Sequence, residues 1–454
     1  MSNSLSAAPN AFYQKLISQR PQFEEEYREL TPLSAAYFEA ARKVLPGGST
    51  RDSILRYPYP TFISRGEGSC LFDVDGRQLT DFWFSATALP LGHCNAAVVQ
   101  VAQRCVAKGS AFFAPTEDAT RLAELILDRL PAGDKVRFTN SGSEAVMLAL
   151  RIARGHSGRD IVAKFEGSYH GSYDDVSWSV NPPAAKIGSP LEPTAVPESA
   201  GLPSGMGRVL VLPYNDLRGT QALLEKHAGK VAALLVEPLA NRMGLILPDR
   251  AFIAGLRDLC SNYGIALIFD EVIAFRVGYH GAQGLLGIGP DLTTLGKVIG
   301  GGFPVGAVVG REEWMCITEP GCKDGVKHTG TFNANPVTMA AGIAVLVQLT
   351  ADKFSWLNTL GEYVRASLRS VIAGLPLQVD GEGSLFKITA SASRTTDYRS
   401  SLLANNEWEE TMSLALMVKG FLLTNKLHGC VATTTTVAEV DSLVSEFAKL
   451  LHLS

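Results

Sequence analysis

Cysteine is scarce and unpatterned in this sequence. Seven cysteines stand at positions 70, 94, 105, 260, 316, 322 and 430, an odd number with no CxxC pair. That argues against a disulfide framework or a structural zinc site, and for a reducing compartment, the cytoplasm, with the thiols acting as small buried apolar groups. Charge of one sign is also lacking. Basic side chains number 41 against 45 acidic ones, a formal net charge of -4. No broad basic field therefore invites nucleic acid. No apolar run approaches the roughly 20 residues that a membrane-spanning helix needs. The first residues, MSNSLSAAPNAFYQ, show neither the basic nor the apolar region of a secretory signal. What the sequence does contain is ample core material. Apolar residues make up 46% and charged residues 19%, which excludes disorder for most of the chain. A length of 454 residues admits about three domains, or one large α/β domain with smaller pieces.

Residues 1–45 read as helical and amphipathic, with an acidic run at Glu24–Glu26, and Leu45-Pro-Gly-Gly-Ser-Thr ends that segment. Residues 60–82 alternate as strands do, with Asp75-Gly76 as a hairpin turn between Cys70-Leu-Phe-Asp and Arg77-Gln-Leu-Thr-Asp. From about 95 to 340, short apolar runs alternate with helical patterns. The runs are Val136-Arg-Phe-Thr, Ile161-Val-Ala-Lys-Phe, Val231–Glu237, Ile265–Phe269 and Leu292–Leu295. This alternation predicts a largely parallel sheet covered on both faces. Residues 181–207 are rich in Pro, Ser and Gly and read as a long surface loop, either a lid or a decoration. From about 345 onward, mixed helices and strands predict a smaller α+β domain.

In open α/β sheets the chemistry lies beyond the carboxyl ends of the strands. Asn140-Ser-Gly-Ser-Glu-Ala follows one candidate strand. Its small residues would leave backbone N–H groups free at a helix start for a phosphate, with Ser141 and Ser143 adding hydroxyls; an ordinary helix cap reads equally well. Asp270-Glu271-Val272 follows another strand, where a carboxylate pairs with a cation or merely caps a helix. Gly296-Lys297-Val-Ile-Gly-Gly-Gly follows a third. It is no ATPase phosphate loop, because its glycines come after the lysine. A lysine there is either a solvated surface group or a desolvated nucleophile. Taken together, a phosphate turn, a strand-end Asp and a strand-end Lys are the parts that a pyridoxal phosphate enzyme needs.

Longer blocks point the same way. They are Phe138-Thr-Asn-Ser-Gly-Ser-Glu-Ala, Lys164-Phe-Glu-Gly-Ser-Tyr-His-Gly, Val236-Glu-Pro, Leu267-Ile-Phe-Asp-Glu-Val, Gly281-Ala-Gln-Gly, Pro290-Asp-Leu-Thr-Thr-Leu-Gly-Lys-Val-Ile-Gly-Gly-Gly and Gly330-Thr-Phe-Asn-Ala-Asn-Pro. In order and spacing they resemble the class III aminotransferases, the group of glutamate-1-semialdehyde aminomutase and the β-amino-acid aminotransferases, from about residue 60 to 345. The resemblance implies a type I pyridoxal-phosphate-dependent transferase fold. Its large domain holds a mostly parallel central sheet, and its smaller α+β domain is built from N- and C-terminal segments. The expected boundaries are 1–85, 86–345 and 346–454. The resemblance further implies pyridoxal 5'-phosphate as cofactor and no metal. Lys297 would carry the cofactor as a Schiff base and shuttle the proton, and Asp270 would hold the pyridine nitrogen protonated. Ser141, Gly142 and Ser143 would take the phosphate. Val272 and Tyr169 would pack on the two ring faces, and Glu237 would lie near the phenolic side. Thr331 would reach the phosphate of the neighbouring subunit's cofactor, which implies a homodimer with shared sites.

The substrate side departs from the relatives. After the Pro-Gly-Gly turn, Arg51 is the expected partner of a substrate carboxylate, with Arg56 nearby. Ser85 keeps its place in the pocket, but Ala86 stands where the aminomutases have Trp, with Trp83 and Phe84 beside it. Near the C-terminus, Leu427 and His428 replace both the gating Glu of the mutases and the mobile Arg of the β-amino-acid enzymes, unless His428 or Arg242 substitutes. The expectation is an aminotransferase moving an amino group from a β- or ω-amino acid or amine to a keto acid or aldehyde. The alternative is a 2,1-aminomutase of the glutamate-1-semialdehyde type; a decarboxylase or racemase would use the same cofactor parts.

Overall fold

The computed structural model describes residues 7–203 and 207–453. The first residues of the 1–45 segment and part of the 181–207 loop lie outside the described residues. Seven strands form the central sheet. In chain order they are β1 (Lys135–Thr139), β2 (Ile161–Phe165), β3 (Val209–Leu212), β4 (Val231–Val236), β5 (Ala266–Asp270), β6 (Leu292–Gly296) and β7 (Gly306–Gly310). Their spatial order is β1-β7-β6-β5-β4-β2-β3. The run β6-β5-β4-β2-β3 is parallel, whereas β7 runs antiparallel to both β6 and β1. The sheet is therefore mixed, mostly parallel with one reversed strand.

Sequence patterning finds five of these strands and misses β3 and β7. Gly-Ala-Val-Val-Gly of β7 is short, glycine-bounded and buried at every position, so it shows no period-two signature. The alternation inside the central strands is sterically strict. Leu234, Val236, Leu267 and Phe269 enter one apolar cluster, with Phe252 and Leu256 of the Arg250–Tyr263 helix. Ala233, Leu235, Ala266 and Ile268 enter another, with Val146 and Ala149 of the Gly142–Ser157 helix. Successive side chains of a strand point to opposite faces, so both faces need apolar cover.

The two ends of the chain meet in the smaller part of the molecule. Strands Ile63–Glu67, Cys70–Asp73 and Gln78–Asp81 form an antiparallel meander. Phe421–Leu422 adds to its edge in parallel. The N-terminal helices Ala7–Ile17 and Arg20–Leu30 pack on the Asn406–Val418 helix. There Phe12 and Tyr13 sit against the fully buried Trp408. One apolar cluster runs from Leu122 and Leu295 to Trp408 and Phe447. The helix Pro336–Gln348 spans the expected 345/346 boundary and ends at its C-cap, Leu349.

Two further expectations are corrected. The thiols are all free, but only Cys260 and Cys430 are buried; Cys94, Cys316 and Cys322 are exposed. The 181–207 segment is also not structureless. It carries a two-stranded hairpin, Gly188–Ser189 with Glu192–Pro193. Tyr398 Oη donates to Pro182 O at 2.7 Å, and Arg399 donates to the carbonyls of Ile187, Gly188 and Ser189. Among the described residues, no single helix is long and apolar enough to cross a membrane.

Candidate active site

A cavity of about 300 Å³ opens at the carboxyl edge of the sheet. The strand register builds it. Asp270, the last residue of β5, pairs with Thr294 on β6, and Lys297 follows three residues later. Val236 pairs with no residue beyond Phe269, so Glu237 emerges beside Asp270. Thr139 of β1 pairs with Gly306, and the turn to Gly142 begins there. Ser141, Gly142, Ser143, Tyr169, Glu237, Asp270, Val272 and Lys297 all line this one cavity.

The Ser141–Ser143 turn caps a helix. Ser141 Oγ accepts from Glu144 N at 3.1 Å and starts the Gly142–Ser157 helix. The following N–H groups stand at the positive helix end that favours an anion. Ser143 Oγ accepts from Ser172 N at 3.1 Å, which ties the turn to the loop after β2. Gly142 is sterically required. A Cβ there would lie 2.9 Å from Val272 Cγ2, so a larger residue would push Val272 out of the cavity wall.

The charged groups are desolvated to different degrees. Burial pushes the Lys297 ammonium below its ordinary range, while Asp270 and Glu237 pull it back. Lys297 also sits at φ 48, a strained backbone that its surroundings must hold. Asp270 Oδ2 is 2.8 Å from His170 Nδ1, and Oδ1 accepts from Val272 N at 3.2 Å. His170 is fully enclosed, and burial lowers its pKa against the opposing pull of Asp270. With the imidazole neutral, Nδ1–H donates to the carboxylate. Glu237 accepts from Tyr169 N at 3.0 Å and from Asn241 N at 3.4 Å. Burial first, then repulsion by Asp270, pushes its carboxyl up to about 8. Beneath the same loop, the buried Lys164 donates to Ser168 O at 2.9 Å and to Trp178 O. Desolvation lowers its amine to about 7.

His170, Asn140, Ile273, Phe303, Pro304 and Val305 also line the cavity and were not singled out from the sequence. His170 was visible beside Tyr169 in the Tyr-His-Gly block. Its contact with Asp270 joins positions a hundred residues apart, which no local pattern encodes.

The remaining expected residues lie elsewhere. Thr331 is exposed in a separate open depression with Phe113, Phe138, His328 and Asn333. Asn140 bridges the two regions, donating to Asn333 Oδ1 at 2.8 Å. Arg51 is exposed, does not line the cavity, and has no side-chain partner among the described residues. Arg56 is structural: it donates to Ser413 Oγ at 3.0 Å and to Leu423 O. Phe84 is buried rather than pocket-forming, while Trp83 is half-buried near His428. His428 is buried, its Nε2–H donates to Asn241 O at 2.9 Å, and desolvation pushes its pKa down to about 3. It is therefore neutral and no partner for a carboxylate. Arg242 stands over the Tyr169 ring, 4.0 Å from the centroid.

Ser85 is exposed within an unusual turn. Phe84, Ser85, Ala86 and Thr87 take φ values of 45, 53, 55 and 71, four successive non-glycine residues in the left-handed region. Such residues cost roughly 1–2 kcal/mol each. The surroundings hold the turn in place. Asp81 Oδ1 accepts from Trp83 N and Phe84 N. The fully buried Arg276 donates to Thr87 O, Val431 O and Ser384 Oγ.

The donor set fits a phosphorylated pyridine. The cavity lining offers the main-chain donors of residues 141–143, a carboxylate held by an imidazole, a half-buried amine, and side-chain walls from Val272 and Tyr169. Comparison with known proteins agrees. The sequence profile described as Aminotransferase class-III matches residues 55–442. A glutamate-1-semialdehyde 2,1-aminomutase 1 of Staphylococcus epidermidis is 36% identical over 91% of this chain and 97% of its own. The crystal structure of an omega-transaminase from Sphaerobacter thermophilus superposes with a TM-score of 0.90 at 44% identity, covering 92% of this chain and 97% of that one. A beta-phenylalanine aminotransferase from Variovorax paradoxus gives 0.87 at 31% identity, covering 96% and 97%. The chain thus belongs to the class III aminotransferases, enzymes of the type I fold whose cofactor is pyridoxal 5'-phosphate.

Proposed function

We propose that the protein transfers an amino group from a β- or ω-amino acid or an amine to a keto acid or aldehyde, as a cytoplasmic homodimer. One observation carries this reading: Lys297, Asp270 and the Ser141–Ser143 turn all line one cavity. When bound, pyridoxal 5'-phosphate supplies an electron-accepting ring that makes a proton on the amine-bearing carbon removable. Main-chain N–H groups of residues 141–143 would hold the phosphate oxygens. Asp270 would pair with the pyridine nitrogen and keep its proton there, and His170 fixes the carboxylate's orientation. Val272 and Tyr169 exclude water from the ring's two faces. Lys297, whose ammonium burial makes easier to deprotonate, would take the proton from the substrate carbon at Nζ and return it. Glu237, neutral near pH 7, donates rather than accepts at the phenolic side. Ser85 stands in the strained turn outside the cavity lining, so no substrate contact is assigned to it. Thr331, exposed and away from its own chain's cavity, serves the site of the partner in the dimer. The exposed thiols Cys94, Cys316 and Cys322 support a reducing compartment.

The names of the relatives keep the aminomutase in view. Against it stand the 44% identity to an omega-transaminase and the buried, uncharged Leu427-His428 pair, where an aminomutase is expected to carry a gating Glu. A half-reaction screen separates the two. Purified enzyme with cofactor is given α-, β- and ω-amino acids and simple amines one at a time, with Lys297→Ala as control. A transaminase loses its visible cofactor band with one class of donor and releases that donor's carbonyl product. A mutase turns over an amino-aldehyde with no external keto acid, and that result would replace the present reading.

A further inference from the structure

The resemblance supplies Arg51 as carboxylate partner, yet Arg51 stands exposed and outside the cavity. Another guanidinium lies closer to the chemistry. Arg242 follows Asn241, whose main-chain N–H holds Glu237 in the cavity wall. Its guanidinium carbon is 4.0 Å from the centroid of the Tyr169 ring, itself part of that wall. A cation over an aromatic face is held in place without using its N–H donors, which stay free for an anion. The anion now present is Glu198, whose Oε1 is 3.5 Å from Arg242 Nη1.

That pair is loose. The two side chains are 35% and 31% exposed, and an ion pair that water reaches on both sides is weak. Glu198 belongs to the 181–207 segment, which is pinned to the body at Arg399 and Tyr398. It is pinned near Glu198 as well, where Glu198 N donates to Ser177 O at 3.0 Å. Glu198 is therefore presented to Arg242 by a fixed loop rather than by chance. A guanidinium can exchange a weak single contact for a bidentate one with a ligand carboxylate, which is shorter and stronger.

We propose that Arg242 binds the carboxylate of the amino-acid donor, and that Glu198 is its built-in counter-ion, displaced when the donor arrives. This rests on the aminotransferase reading above. It assigns the 181–207 segment a role in selectivity: an empty site shows an already neutralised rim, and a donor without a carboxylate leaves the internal pair intact.

The test uses holoenzyme and a matched pair of donors, 3-aminobutanoate and 2-aminobutane, which differ by carboxylate against methyl. Arg242→Ala should raise KM for 3-aminobutanoate roughly tenfold or more and leave that for 2-aminobutane within about twofold. Glu198→Gln should lower KM for 3-aminobutanoate a few-fold and leave 2-aminobutane unchanged. Binding of 3-hydroxybutanoate, which cannot be deaminated, should follow the same order without any turnover. Equal effects on both donors, a fall in kcat with loss of cofactor, or selectivity lost in Arg51→Ala and kept in Arg242→Ala would each overturn the proposal. Where neither donor reacts, 3-hydroxybutanoate binding decides: none, or binding indifferent to Arg242→Ala, overturns it. A wild-type enzyme that turns over no donor of any class would instead sink the aminotransferase reading itself.

Discussion

The floor of the cavity and its rim are assembled under different constraints. On the floor, Asp270, Glu237 and Lys297 end neighbouring parallel strands, so strand register places them within one sheet edge. Their surroundings are packed on both faces by apolar clusters. On the rim, Arg242 and Glu198 meet through a cation–aromatic contact and a loose ion pair, on loops outside the sheet. A buried sheet edge cannot shift by one residue without turning every side chain to the wrong face. A loop can exchange residues with no such penalty. Chemistry common to a family is therefore fixed on the floor, and selectivity is free to vary on the rim.

The largest effects are expected on the floor. Lys297→Ala should reduce turnover roughly a thousandfold or more, because the group that moves the proton is gone. Asp270→Asn should reduce it about a hundredfold or more, because a neutral amide no longer stabilises a protonated pyridine. Single-turnover absorbance with a donor found in the screen measures both. If either variant kept activity within tenfold of wild type, the floor would not hold the chemistry.

Glu237 gives a smaller effect of opposite pH sense to an ordinary ion-paired carboxylate. Its folded-state pKa of about 8 lies above the ordinary 4.5. The folded apoprotein therefore binds a proton that the unfolded chain lacks between these values. The resulting stability is fully present below about pH 4.5 and is lost as pH rises through 8. Glu237→Gln stays neutral throughout, so its melting temperature should gain on wild type as pH rises from 5 to 8. Thermal melts of the two apoproteins measure the difference, and parallel curves would contradict the buried, neutral Glu237.

The smallest effect belongs to the strained turn. Ala86 at φ 55 holds a conformation that glycine takes without steric cost. Ala86→Gly should raise stability by up to about 1 kcal/mol, strain relief outweighing the added freedom of the unfolded chain. Urea denaturation reads it. A loss of stability would mean that the turn is not strained where its dihedrals place it.

Among the strands legible in the sequence, Val231–Val236 and Ala266–Asp270 are apolar runs of four or more residues that end at a charged residue. β7 escaped because its glycines answer to tertiary contacts. A Cβ on Gly306 would collide with Ser141 O, and one on Gly310 would press on Met315. The floor residues were legible because each follows a strand at a point where small or charged residues interrupt an apolar pattern. His170 was not, because its purpose appears only when β5 and the loop after β2 come together.

The family, the cofactor and the strand-end positions of Glu237, Asp270 and Lys297 follow from the sequence, because those depend on local order: strand, turn, helix and the side chain at each junction. Tertiary structure alone decided that Arg51 and Thr331 stay outside their own chain's cavity, that His428 is buried and neutral, and that Glu198 meets Arg242 across more than forty positions of chain. Burial, and with it the charge a group carries, is set by what the rest of the chain packs around it, and no neighbour in sequence records that.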